Sequence, residues 1–253
     1  MQIIRFYTVI RREIERFLRV PIQTLISPWI SAMLYIFIFG AVIGSRISFF
    51  DDISYIDFVL PGILMMNIIN SSFGQSSSSL YMHRFTRAIE EMLTSPLSYA
   101  EMIGGYILGA IARSLIVSAG IFILALLFTQ ATIANFGLFI FFTIITATIF
   151  SLIGLLVGLL SDRFEHLTIL QTFIIQPLIY LGGVFNSVYM LPESLQIFTF
   201  FNPFFYMVDG LRYSMINYSE SNLLIGAIML STVALILFII LTKLFKSGYK
   251  LRN

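Results

Sequence analysis

Apolar residues come in long runs along this chain rather than in alternation, and six of the runs are close to the roughly 20 residues that carry a helix across a bilayer core. They cover residues 22–44, 56–80, 101–128, 136–160, 167–185 and 222–242, with polar or charged breaks between them. Ahead of the first run the period changes. In MQIIRFYTVIRREIERFLRV, Ile3, Tyr7, Ile10, Ile14, Phe17 and Leu18 recur at helical spacing, with Arg5, Arg12, Arg16 and Arg19 between them. That pattern predicts an amphipathic helix over 1–21 lying in the membrane interface, its arginines toward lipid phosphates and its end at Pro21. The plainer reading is a basic flank of the first span. It does not read as a cleaved signal, since the stretch itself holds no uninterrupted apolar region and no small-residue cleavage site.

Between the second and third runs, Phe85, Ile89, Met92 and Leu93 fall at i, i+4, i+7 and i+8, with Arg84, Arg87, Glu90 and Glu91 interspersed. A short surface helix is predicted, with Arg87 paired to Glu91 and Pro96 closing it. Such a helix, apolar on one ridge and charged elsewhere, suits docking in a partner's groove or on lipid; it also suits a plain surface loop.

The segment 186–221 fits neither pattern. LPESLQIFTFFNPFFYMVDGLR (191–212) is apolar enough for a membrane, yet it holds Leu191-Pro192, Glu193, Asn202-Pro203, Asp209 and Arg212. One more span here would carry the basic C-terminus to the other side, and Pro203 would break its helix midway. A re-entrant pair of short helices is expected instead, with Pro192 and Glu193 in the first turn of one. Asn202 would cap the other, with Pro203 at its first position. Phe198, Phe200, Phe201, Phe204, Phe205 and Tyr206 would form an interfacial aromatic belt.

Composition agrees with the runs. The 253 residues are 58% hydrophobic and 11% charged, with mean hydropathy +0.93. An all-α polytopic membrane protein of one domain (1–253) follows: interfacial helix, spans one to five (22–185), the re-entrant element (186–221), then span six and a tail (222–253). Arg5, Arg11, Arg12, Arg16, Arg19, Arg84, Arg87, Arg163, Lys243, Lys246, Lys250 and Arg252 fall on one side of that layout. Basic loops stay cytoplasmic, so both termini are expected there and the number of spans is even. A net charge of +2 gives no reason to expect nucleic acid. The absence of cysteine excludes disulfides and thiolate chemistry, and His83 and His166 alone make no zinc site. No Gly-Lys pair exists among the three lysines, so no phosphate-cradling Walker loop is present; an ATP-driven process would need its ATPase on another polypeptide.

Polar residues inside the runs are few. Asn67, Asn70, Arg113, Thr148 and Gln176 all fall near mid-depth. A mid-membrane arginine costs about 2.5–3.5 kcal/mol, so Arg113 should face protein or water, held by Asn67, Asn70 or Gln176. These residues are either the lining of a substrate path or interhelical glue. The serine run NSSFGQSSSSLY (70–81) and the GxxxG pairs Gly40/Gly44, Gly105/Gly109 and Gly154/Gly158 allow close helix approach; for the serines a subunit interface is the preferred reading, a path lining the alternative. Pro61, Gly62 and Pro177 are expected to kink their helices.

The string GGVFNSVYMLPESLQIFTFFNPFFYMVDGLRYS, with Gly-Val-Phe, Leu-Pro, Asn-Pro and Asp-Gly-Leu-Arg in that order, resembles the C-terminal signature of permease subunits of type-2 ABC exporters. The likeness extends over the whole chain, including EEMLTSPLS after the second span. It implies a coupling helix at Arg84–Leu93 that rests on a separate ATPase and a connecting helix containing Arg12 and Arg16. It implies also an extracellular gate at Leu191–Arg212, and a complex of two permeases with two ATPases in which ATP and Mg bind only the ATPases. The family exports drugs, lipids, lipid-linked glycans, polymers and nodulation factors. The short, cysteine-free loop suits a bacterial half-permease in the cytoplasmic membrane. An ion-coupled carrier would need a titratable group at mid-depth, and a membrane enzyme would need a nucleophile and base or a metal cluster; neither pattern stands in the runs.

Overall fold

The computed structural model describes residues 2–43, 54–129 and 131–251. Among them every regular element is helical: α1 (Gln2–Leu18), α2 (Ser27–Phe37), α3 (Tyr55–Phe85), α4 (Ala88–Thr94), α5 (Tyr99–Ala125), α6 (Phe136–Leu160), α7 (Glu165–Leu170), α8 (Gln176–Leu181), α9 (Glu193–Phe201), α10 (Pro203–Ile216) and α11 (Leu223–Ser247). Five helical stretches are long and apolar enough to cross a membrane: Ile22–Gly40, which contains α2, and α3, α5, α6 and α11. Side-chain oxygens set several starts: Ser98 and Glu101 form a capping box on α5, Asn135 caps α6 and Asn222 caps α11. The fifth apolar run forms a shorter helical stretch, α7 and α8 joined by a π turn at Gln171–Ile175, and the chain leaves it through Gly182 and Gly183.

The prolines are absorbed locally. A π turn at Ile22–Ile26 precedes Pro28, and the one at Gln171–Ile175 precedes Pro177. The wider turn relieves the clash between the pyrrolidine ring and the carbonyl one turn back. Pro61 lies inside the continuous α3.

Buried over most of its length, α3 packs on α6, α5, α10 and α2. Gly154 and Gly158 of α6 bring the two backbones close: a Cβ on them would stand 2.7 Å from Phe73 O and 2.6 Å from Ser77 O. Ser76 and Ser151 share a hydroxyl hydrogen bond of 2.6 Å across this seam. One side of the serine run is thus packed inside the chain, because small side chains let two helices of one protomer meet, while Asn70, Gly74 and Ser78 are only half-buried. Gly44 lies outside the described residues.

The other GxxxG pair, Gly105 and Gly109 of α5, seats α1. Val9 packs against Gly105, and a Cβ on Gly109 would come 2.5 Å from Glu13 Cβ. Val9, Glu13 and Phe17 make the buried stripe of α1, while Ile4 and Tyr7 face outward. The helix ends at Leu18, before Pro21. Arg12 and Arg16 correct the sequence reading: they turn into the protein rather than toward lipid phosphates, because α5 offers glycines and α3 offers carbonyls on that side.

At the far end of α3, Arg84 is buried and donates to Gly158 O, Ser161 O and Lys250 O at 2.8, 3.0 and 2.7 Å. These bonds tie the ends of α3, α6 and the segment after α11 together. A Lys250–Asp162 ion pair at 3.0 Å joins the same end, and that exposed pairing pulls the Asp162 carboxyl below its ordinary range. Arg84 and Phe85 therefore belong to α3, not to the loop helix. That helix, α4, starts after Arg87, whose φ of +60° breaks the path. No Arg87–Glu91 ion pair exists among the described residues, since Arg87 lies outside the helix that carries Glu91.

At the opposite end, Asn202 accepts from Phe204 N and so caps α10, with Pro203 at its first position as expected. Glu193 opens α9, and Pro192 stands just before the first turn, at the N-cap position, without a side-chain cap. Asp209 and Arg212 are fully buried. Asp209 accepts from the backbone N–H groups of Glu220 and Ser221 and from the hydroxyls of Ser219 and Ser221, pinning the turn before α11. Arg212 donates to Gly183 O at 2.6 Å and Phe58 O at 3.2 Å, and its guanidinium lies 3.8 Å over the Phe58 ring.

Candidate functional site

A cavity of about 640 Å³ opens between the stretch containing α2 on one side and the α7–α8 stretch on the other, with α3 and α5 behind. It brings together Asn67, Asn70, Arg113 and Gln176, the four mid-depth residues singled out in the sequence, and adds Arg16 from α1. Hydroxyls and amides from Gln23, Ser27, Ser31, Ser71, Gln75, Ser78 and Gln171 complete most of the polar wall. Thr148 takes no part; it bonds to its own helix at Ile144 O.

The bonding differs from the sequence expectation in one respect. Arg113 is held by Gln75 Oε1 at 3.3 Å, not by Asn67, Asn70 or Gln176. Asn70 Oδ1 instead accepts from Gln171 and Gln176 at 3.1 and 3.0 Å, which ties α3 to the α7–α8 stretch. Asn67 donates to Ile63 O within its own helix. Gln75 was missed because it lies in the serine run, where spacing gave it no distinct role. It links three elements: its Nε2 donates to Glu13 O at 3.2 Å while its Oε1 accepts from Arg113.

Glu13 was missed for the opposite reason, since a carboxylate among arginines reads as a surface residue. It is 0% exposed and accepts both contacts from the Ser79 hydroxyl, at 2.7 and 2.9 Å. Burial pushes its carboxyl above its ordinary value of 4.5, more than Ser79 and the nearby Arg16 and Arg12 pull it down. The folded state therefore favours the protonated acid, so stability falls as pH rises from 4.5 through the raised value. Thermal unfolding of the detergent-solubilised protein across that range should show this fall, and Glu13→Gln should flatten it. An unchanged slope in the variant would mean that Glu13 titrates as an ordinary carboxyl.

Rings close the cavity at the end away from α1. Phe39 and Phe185 stack with centroids 4.6 Å apart; Tyr35 lies 5.9 Å and Tyr180 5.8 Å from Phe185, and Tyr55 donates to Phe185 O at 2.9 Å. Tyr35 and Tyr180 also line the cavity. Of the 191–212 residues, Leu191 and Pro192 lie toward the surface while Asn202, Asp209 and Arg212 are buried, so the segment is anchored through its second half.

At the other end, α1 reaches α4: Arg12 donates to Met92 Sδ at 2.7 Å, and Arg16 to Gln75 O and the Ser78 hydroxyl at 3.3 and 3.0 Å. Of the residues expected on the apolar ridge, Phe85 is 71% exposed but Ile89 is 1% exposed and Met92 is buried. Ile89 and Met92 pack into the chain's own core with Leu80, Ile103 and Tyr106, and Leu93 packs partly against it. The exposed face of this end is instead Phe85, Arg87, Glu90 and Glu91.

Apolar helices of spanning length thus surround a polar cavity, with the short helix α4 at one end of the bundle. The sequence profile described as ABC-2 type transporter matches residues 4–216, and the chain belongs to that family. It is 35% identical to the inner membrane transport permease YadH of Escherichia coli, over 96% of this chain and 94% of the relative. Nodulation protein J of Rhizobium leguminosarum bv. viciae is 22% identical over 96% of this chain and 94% of its own length, and that of Rhizobium meliloti is 24% identical over 80% and 78%. The chain is thus a membrane-embedded ABC transporter subunit of the permease kind, without an ATPase site of its own, and the family implies an ATP-binding partner subunit.

Proposed function

We propose that this chain is the permease half of a bacterial ABC exporter that moves an amphiphilic molecule (a drug, lipid or lipid-linked glycan) outward across the cytoplasmic membrane. The observation that carries the reading is the polar cavity, linked through Gln75 and α1 to the exposed end of the bundle at Phe85 and α4. Two copies and two ATPases would form the complex, with α7–α8 as the fifth of six spans and both termini cytoplasmic. ATP and Mg would act on the partner. The second copy would close the open side of the cavity, and lipid would cover the apolar face of α11. Family membership disfavours an ion-coupled carrier.

The ATPase would rest on Phe85, Arg87, Glu90 and Glu91. Ile89, Met92 and Leu93 would transmit the displacement inward as part of the core, and Arg84 would hold the platform to α6. Arg12 and Arg16 would carry the movement along α1 to the cavity wall. The α9–α10 pair, Leu191 to Arg212, would form the outer re-entrant element that frames the gate, with the Phe39–Phe185 stack as the barrier itself. Purification of the tagged protein in mild detergent, with identification of co-purifying chains and a vanadate-sensitive ATPase assay, tests the assignment. A clean preparation without ATPase, under conditions that preserve a known ABC complex, would overturn it.

The barrier has its own test. Aromatic pairs contribute about 0.5–1.5 kcal/mol each, so Phe39→Ala with Phe185→Ala removes enough to shift a closed barrier toward open. In proteoliposomes without ATP, the double variant should leak a small polar dye several times faster than the parent protein. Equal leak rates would place the barrier elsewhere.

A further inference from the structure

We propose that the cavity selects its cargo by a phosphate-class oxyanion, held between Arg113 and Arg16. The proposal rests on the transport reading above and names the chemistry of that same site. Two guanidiniums line the cavity, and no aspartate or glutamate does among the described residues. Neither arginine forms an ion pair among those residues. Arg113 has one partner, a neutral amide oxygen at 3.3 Å, and its Nε is buried with none. Arg16 spends its donors on a backbone carbonyl and a hydroxyl. A buried cation left this way is costly unless an anion completes it.

Glu13 is near enough to act on Arg16 electrostatically, but it forms no ion pair with either cavity arginine among the described residues. It sits behind Gln75, on the α1 side, where its oxygens face Ser79 and Gln75 Nε2 rather than the cavity. The fork of a guanidinium matches the oxygens of phosphate, and Ser27, Ser31 and Ser71 on the wall offer hydroxyls for the remaining lone pairs. A volume of about 640 Å³ accommodates a phosphorylated headgroup with room to spare. On α2 the exposed Ile30 and Leu34 each follow a lining residue, Ser27 and Ser31, by one helical turn, and a hydrocarbon tail would lie against them.

The test is equilibrium binding to the full permease complex in phosphatidylcholine nanodiscs, without nucleotide, using dihexanoyl phosphatidic acid, dihexanoyl phosphatidylcholine and inorganic phosphate as probes. Phosphatidic acid should bind about tenfold or more tightly than phosphatidylcholine, and Arg113→Gln should weaken it by a similar factor. Arg113→Lys should recover part of the loss, and Arg16→Gln should weaken binding independently, which guards against an Arg113 variant that merely fails to fold. Binding of phosphatidic acid alone identifies a lipid headgroup; equal competition by inorganic phosphate identifies the free anion, and either supports the site. Equal affinity for both lipids, or phosphatidic acid affinity unchanged in both glutamine variants, overturns the proposal. Because ATPase association is read separately on the same preparation, failure here leaves the transporter reading standing, whereas loss of the ATPase would remove that reading instead.

Discussion

Arg212→Met is expected to destabilise the protein by on the order of 3–5 kcal/mol. Arg212 is the largest fully buried side chain among the described residues, and its guanidinium donates to Gly183 O and Phe58 O, carbonyls from the turn after α8 and from α3. Methionine fills much of the volume but takes the donor away from Gly183 O and withdraws the bond to Phe58 O. It also removes the cation that balances the field of nearby Asp209 and Glu220. Arg212→Lys should recover little, because one ammonium cannot reproduce the fork over the Phe58 ring. Thermal unfolding in detergent checks both variants. A melting temperature unchanged in Arg212→Met would show that the interior reorganises around the missing group.

Phe85→Asp carries the second large effect, and on function rather than stability. The ring is exposed at the tip of α3 and stacks on Tyr81. Its loss should leave the melting temperature nearly unchanged while transport and ATPase association fall about tenfold or more, as for removal of an interface anchor. Ile89→Asp makes the contrast. That side chain is in the core, so a charge there should unfold the region and abolish activity for an uninformative reason. Retained transport by a stably folded Phe85→Asp protein would show that the ATPase docks elsewhere.

The gap between these two residues shows where sequence periodicity stops being sufficient. Phe85 and Ile89 are one helical turn apart on paper, and the spacing puts them on one ridge. In the fold α3 ends at Phe85 and α4 begins after Arg87 in a left-handed conformation, so the ridge is divided between two helices and only one part faces outward. Arg84 adds to this, since three carbonyl contacts from distant segments draw it inside, and none is encoded nearby in the chain.

What the sequence determined by itself is whatever depends on solvent and local chain chemistry. Apolar runs of spanning length have to be helices in lipid, and five appear as such. Asn202-Pro203 starts a helix because a side-chain cap and a missing N–H both suit a first turn, and α10 begins there. The low charge and the order of Leu-Pro, Asn-Pro and Asp-Gly-Leu-Arg were enough to reach the family. The tertiary structure decided which way the polar residues face. Arg12 and Arg16 carry the same local signal as Arg5 and Arg19, and only the glycine seat on α5 and the carbonyls of α3 turn them inward. Arg113, Asn70 and Gln176 were legible as one mid-depth layer, but the pairing of Arg113 with Gln75 and of Asn70 with Gln176 depends on helix rotation. Helix rotation is fixed by contacts between helices, such as those of Gly154 and Gly158 with α3, a property of two helices together that neither segment specifies alone.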